Sequence, residues 1–163
     1  MRLLFLVCGS VAFLACLTVQ AQPAPTSARQ SVAALLDGFH RAAAQADEEG
    51  YFEHFAQRAV FLGTDPEERW SVEAFRAYAH KHFSQGKGWT YVPSERSIVF
   101  GPERRVAWFH EVVTHEAYGR CRGTGTVIRE RGAWKIAQYS LSLPLPNEKF
   151  KAIAADVRRS AKR

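Results

Sequence analysis

Between residues 27 and 46, Val32, Leu35, Leu36, Phe39 and Ala43 recur three and four positions apart, the period of an amphipathic helix, with Ser27 or Ser31 available as its cap. The break at Gly50 starts a second short helix over residues 48–57 that sends Tyr51, Phe52 and Phe55 to the same core. Residues 59–62 read as a strand, ended by the turn Gly63-Thr64-Asp65-Pro66. A helical period returns in Val72, Phe75, Tyr78, Ala79 and Phe83, behind a Ser71 cap and with Glu73 in the positive first turn. Ala74 stands where a capping box needs Glu or Gln, and Gly86-Lys87-Gly88 stops the run.

After Gly88 the period changes to two. Residues 89–92, 96–100, 106–113, 119–130 and 134–143 read as strands separated by turn signals such as Gly101-Pro102. The last two flank a short turn at Arg131 and Gly132, the pattern of an antiparallel hairpin. A basic helix over residues 148–159, capped by Asn147, follows Pro144 and Pro146. Helices first and an antiparallel meander after them predict an α+β layer structure with the helices on one sheet face. Trp108, Phe109, Val112, Val113, Val127, Ile128, Trp134 and Ile136 put apolar groups on both faces of their strands, more than a half-wet sheet needs, so a homodimer through the outer sheet face is expected.

The N-terminus alters this picture. Arg2, an apolar run over residues 3–19 and the small residues of Val19-Gln20-Ala21 fit a cleaved signal peptide over residues 1–21, the run being short of the roughly 20 apolar residues that cross a bilayer. Leu14-Ala15-Cys16 only loosely resembles a lipoprotein cleavage site, because Phe13 and Leu14 are poor fits to it. Residues 22–30 form a linker marked by Pro23 and Pro25, residues 31–148 one domain, and residues 149–163 a basic helix or tail. The expected location is periplasmic or secreted. With Cys8 and Cys16 in the signal segment, a mature chain keeps Cys121 alone, so the core cannot rest on an internal disulfide, and a lone strand thiol is expected buried and inert. The net charge of +6 is weighted toward the tail, in Lys149, Lys151, Arg158, Arg159, Lys162 and Arg163. An exported chain without aromatics among its last cations argues against nucleic acid; an anionic envelope surface is the expected counter-surface.

Particular residues join the order of elements. Phe61-Leu62-Gly63-Thr64-Asp65-Pro66 with Glu68-Arg69-Trp70, Ala107-Trp108-Phe109-His110-Glu111, Arg122-Gly123-Thr124-Gly125, and Trp134-Lys135-Ile136-Ala137-Gln138-Tyr139 leading to Pro144-Leu145-Pro146-Asn147-Glu148 resemble the SnoaL-like branch of the nuclear transport factor 2 (NTF2-like) superfamily. The resemblance implies a cone: a strongly curved antiparallel sheet wrapped around N-terminal helices, open at one end, and commonly dimeric through its outer face. Relatives include ketosteroid isomerase, scytalone dehydratase and polyketide cyclases, and others that only assemble or bind.

In catalytic relatives an acid or base projects into the apolar cone, where desolvation lets it exchange protons near neutral pH. Ketosteroid isomerase, with its aspartate base, tyrosine and protonated aspartic acid, is a standard case. That set is not reproduced in this chain. The candidates are His110 and Asp65 as catalytic groups and Tyr78, Trp108, Arg122 and Gln138 as ligand-binding groups, with Ser140 beside them on the last strand. Neighbours on a strand face opposite ways, so His110 and Glu111 cannot both enter the cone. Trp108 and His110 are expected inside, with Phe109 and Glu111 toward the dimer face or solvent. Asp65 can serve as a base or hold its own turn. Arg122 can bind an anionic or carbonyl group, or pair with Glu111, Asp65 or Glu68. Gly119, Gly123 and Gly125 suit sheet curvature rather than a phosphate loop, and the other tryptophans suit packing. His80/His82 and His110/His115 lack metal-ligand spacing, no serine elbow or Cys–His pair is present, and no cofactor is expected. The resulting expectation is a small apolar organic ligand in the cone, with cofactor-free proton transfer or loss of water next to a carbonyl. The alternative is a non-enzymatic homodimeric assembly or envelope-interaction module.

Overall fold

A computed structural model describes residues 27–160, and the expected signal peptide, most of the linker, and residues 161–163 lie outside the described residues. Helix α1 (Ala28–Ala44) starts at Ser27, whose hydroxyl accepts from the Gln30 amide while the Gln30 side chain caps Ser27 in return, a full capping box. Helix α2 (Glu48–Glu53) is capped by Asp47 and ends earlier than its helical pattern suggests. The chain leaves it into strand β1 (Phe55–Leu62), where Phe55, Ala56 and Ala59 are buried. Strand β2 (Arg69–Ser71) returns antiparallel to β1, and Ser71 then caps helix α3 (Val72–Phe83) through the Ala74 amide.

Strand β3 (Val92–Phe100) merges two short apolar runs across an irregularity between Pro93 and Glu95; residues 89–91 precede it as irregular chain. A 3-10 turn (Pro102–Arg104) leads to β4 (Val106–His115), β5 (Gly119–Glu130) and β6 (Ala133–Ser142), and helix α4 (Asn147–Ser160) closes the described chain. At the β5–β6 hairpin Arg131 and Gly132 both take positive φ (50° and 84°), the requirement of a two-residue turn matching the strand twist.

The sheet is six-stranded and mixed, in the order β2-β1-β6-β5-β4-β3. Four of its five pairings are antiparallel, while β1 runs parallel to β6. A parallel neighbour needs a long crossover, and the α3-β3-β4-β5 stretch between β1 and β6 supplies it. Helices α1, α2 and α3 cover the concave face, whose core joins Val32, Leu36 and Phe39 to Tyr51, Phe52, Phe55, Phe75 and the inward residues Phe109, Val127, Ile136 and Tyr139. Trp108 and Val99, cross-strand neighbours on the opposite face, are 50% and 44% exposed.

Candidate functional site

Along β4 the inward positions are Ala107, Phe109, Glu111 and Val113, and on β5 they are Cys121, Gly123, Gly125 and Val127. This phase reverses the expected one. His110, Trp108 and Thr124 sit on the outer side, His110 and Trp108 exposed, and Glu111 is completely buried. The alternation could have been satisfied either way; partners decide it. The inward Glu111 meets three donors, from α1, β3 and β6.

His40 Nε2 lies 2.6 Å from Glu111 Oε1, and Tyr139 Oη donates to the same oxygen at 3.0 Å. Arg96 Nε donates to Oε2 at 2.7 Å, and Arg96 Nη1 reaches Asp37 at 2.8 Å and the Ala33 carbonyl at 3.1 Å. Arg96 Nη2 is buried without a partner among the described residues. Local structure delivers each group. His40 follows Leu36 by four residues on the buried stripe of α1, Arg96 stands opposite Glu111 in the β3–β4 register, and Gly123 stands opposite Glu111 on β5. A Cβ at position 123 would lie 2.2 Å from Tyr139 Oη and 3.1 Å from Glu111 Cγ, so the bare glycine is what lets the phenol reach the carboxylate.

Burial alone would raise the Glu111 pKa, but the His40 and Arg96 hydrogen bonds and charges outweigh it and hold the carboxyl below its ordinary value. An ionised Glu111 only accepts, so the proton on the His40–Glu111 bond belongs to His40 Nε2. The other ring nitrogen, Nδ1, has no hydrogen-bond partner among the described residues. Burial, reinforced by the Glu111 charge, raises the Tyr139 pKa and keeps its phenol neutral and donating. Burial works against the Arg96 charge, yet Glu111 and Asp37 together raise its pKa and hold it cationic.

His40 and Tyr139 line a chamber of about 20 Å³, room for roughly one water, at the bottom of the cone. Phe61, Trp89, Tyr91 and Leu141 wall both this chamber and an outer cleft of about 270 Å³, which is completed by Trp70, Phe75, Tyr78, Tyr118, His115, Thr64, Gly63 and Glu68. Trp70 stacks on Tyr78 at 5.4 Å, and His115 stacks between Tyr91 and Tyr118 at 4.8 and 4.6 Å. Burial pushes the Tyr91 phenol up to about 12, with Glu68 among the neighbours that add to it.

Of the residues expected from sequence, Tyr78 lines the cleft. Trp108, His110 and Gln138 belong to the exposed side of the sheet, and Arg122 is exposed without a side-chain partner among the described residues, Glu111 having taken Arg96 as its cation. Asp65 is exposed at its turn, its carboxylate accepting from the Glu67 amide at 2.9 Å, which is the turn-holding role. Three of the groups that matter, His40, Arg96 and Tyr139, are absent from the sequence-based candidates, and the fourth, Glu111, is there assigned to the wrong face. The signal was present: His40 and Glu111 are polar intrusions at the apolar phase of a helix and of a strand. Among the described residues no group of three His, Cys, Asp or Glu side chains could hold a metal ion.

The sequence matches the SnoaL-like domain family over residues 32–146, most of the chain. The chain belongs to the SnoaL-like family. Its fold is that of the NTF2-like superfamily. It is similar to an NTF2-like protein of unknown function from Pseudomonas putida (16% identity, 77% of this chain and 94% of that one, TM-score 0.61). It is also similar to a putative scytalone dehydratase from Novosphingobium aromaticivorans (13% identity, 72% and 84%, TM-score 0.61). A third likeness is to a putative calcium/calmodulin dependent protein kinase II association domain from Xanthomonas campestris (22% identity, 78% and 94%, TM-score 0.56). At these identities the likeness is one of fold. No curated protein matches the sequence. The SnoaL-like fold accounts for a helix-covered cone; the residues that fill it are this chain's own.

Proposed function

We propose that this SnoaL-like protein binds a small, mostly apolar organic molecule in the aromatic cleft and that His40, oriented by Glu111, carries a proton to or from it. The observation that carries the reading is the fully buried, ionised Glu111 holding His40 at the inner end of an aromatic-walled cleft. A buried ion pair stabilises a fold poorly compared with apolar packing, so a carboxylate there is better explained by what it does to the imidazole. It fixes the tautomer, leaves Nδ1 as the basic nitrogen, and stabilises the imidazolium that forms when Nδ1 takes a proton. The reaction compatible with this set is cofactor-free proton transfer, or loss of water, next to a carbonyl, with His40 in the role expected of His110 or Asp65. Export to the periplasm or cell exterior remains part of the proposal.

The test pairs two readouts. Titration of the intrinsic fluorescence of Trp70 and Trp89 with small cyclic ketones reports binding; proton–deuteron exchange next to their carbonyl, followed by NMR, reports chemistry. Exchange that falls about 100-fold or more in His40→Ala while binding persists supports the reading. Undiminished exchange in that variant overturns the catalytic part.

A second reading rests on the outer face. Trp108 and Val99 form an exposed apolar pair on the outer side of the sheet, suited to a second copy, and no side chain of α4 is buried, Phe150 and Val157 each being 60% exposed. A homodimeric module that meets an anionic envelope surface through α4 would use these and leave the cleft idle.

A further inference from the structure

Resting on the reading of the cleft as a ligand site, we infer that its ligand is a small organic cation: an apolar ammonium compound whose charge is met by Glu68 and the surrounding ring faces. Three observations converge. The protein carries 22 Lys and Arg residues against 16 Asp and Glu, yet none of the cations among the described residues lines the cleft; among those residues its one formally charged carboxylate or cation is Glu68. Glu68 is half-buried and has no ionic partner among the described residues. Its Oε2 accepts from the Asp65 amide at 3.2 Å, and its Oε1 has no hydrogen bond among the described residues. A basic protein that leaves a carboxylate unpaired beside a binding cleft has a place for a cation from outside.

The walls act in the same direction. Trp70, Trp89, Tyr78, Tyr91 and Tyr118 are electron-rich rings gathered around about 270 Å³. Ring faces attract a desolvated ammonium group electrostatically, indole most strongly, which is the physical basis of aromatic cages for quaternary ammonium ligands. An anionic substrate would meet the Glu68 carboxylate with no lysine or arginine in the lining to compensate. His115, the other ionisable lining side chain besides the phenols, is occupied between two phenol rings.

The experiment compares choline with 3,3-dimethylbutan-1-ol, its neutral isostere, by tryptophan fluorescence and calorimetry on the full chain. Glu68→Gln removes the charge while its amide oxygen can still accept from Asp65; Trp70→Leu removes a ring face without touching charge. About tenfold tighter binding of choline is expected, falling toward parity in Glu68→Gln and weakening in Trp70→Leu more for choline than for the alcohol. Equal affinity of both compounds for the wild-type chain overturns the cation inference and leaves the cleft as an apolar site. Binding of neither, with displacement by neither of a neutral ketone that does bind, also overturns it. Failure of every compound, ketones included, sinks the cleft reading itself. A choline preference that survives intact in Glu68→Gln, or in Trp70→Leu if the first variant does not fold, overturns the assigned recognition.

Discussion

Replacing Glu111 by Gln tests the buried cluster directly, because it keeps the side chain's volume and deletes only its charge. In the native chain one carboxylate serves His40, Tyr139 and Arg96 at 2.6, 3.0 and 2.7 Å. The variant strands the Arg96 guanidinium, which is 14% exposed and keeps only the half-exposed Asp37 as ionic partner. Removing one member of a buried pair costs about 3–5 kcal/mol. Asp37 places this case at the lower limit, about 3 kcal/mol, or a fall of about 10 °C in midpoint for a domain of this size. Equilibrium urea unfolding at neutral pH measures it.

The acid dependence gives an independent check. The folded pKa of Glu111 lies below its ordinary value of 4.5, so the unfolded chain binds the proton more readily. The stability owed to this ionisation is fully present above that ordinary value and is lost as pH falls through the lower folded value. Glu111→Gln therefore shows a shallower loss of stability in acid than the wild type. Adding Arg96→Met removes the stranded cation and is expected to recover stability relative to the single variant. A Glu111→Gln protein within about 0.5 kcal/mol of wild type, or a double variant no more stable than the single one, would refute the reasoning.

Gly123→Ala places a methyl group 2.2 Å from Tyr139 Oη and is expected to cost about 1–3 kcal/mol in urea unfolding and to weaken the Tyr139–Glu111 bond, whereas Gly86→Ala, with open space around it, strains only a positive φ. Cys121 is buried and its pKa is raised by that burial, so labelling by a thiol reagent in the native state should be slow and should accelerate on unfolding; fast native labelling would contradict its placement. Trp108→Glu places a charge on the outer sheet face and, if two copies meet there, converts a dimer to a monomer in sedimentation analysis without a loss of stability per chain; an unchanged sedimentation coefficient removes the dimer proposal.

Much of the fold was legible in the chain's periods. Val32 through Ala43 announced α1, Ser71 announced the cap of α3, and Arg131-Gly132 announced the β5–β6 turn, because each is a local rule of spacing or backbone freedom. The parallel β1–β6 pairing, the β2 strand and the early end of α2 were not legible, since they depend on which distant edge a short apolar segment meets. The same limit governs the site. Period two says that His110 and Glu111 face opposite ways, and nothing local says which of them faces in. His40 from α1, Arg96 from β3, the bare backbone at Gly123 and the phenol of Tyr139 decide it together, because a buried carboxylate is stable only where donors from separate segments converge. The sequence alone thus determined most of the elements and the family; tertiary structure chose the inward residue, because desolvation makes an ion's place depend on all of its partners at once.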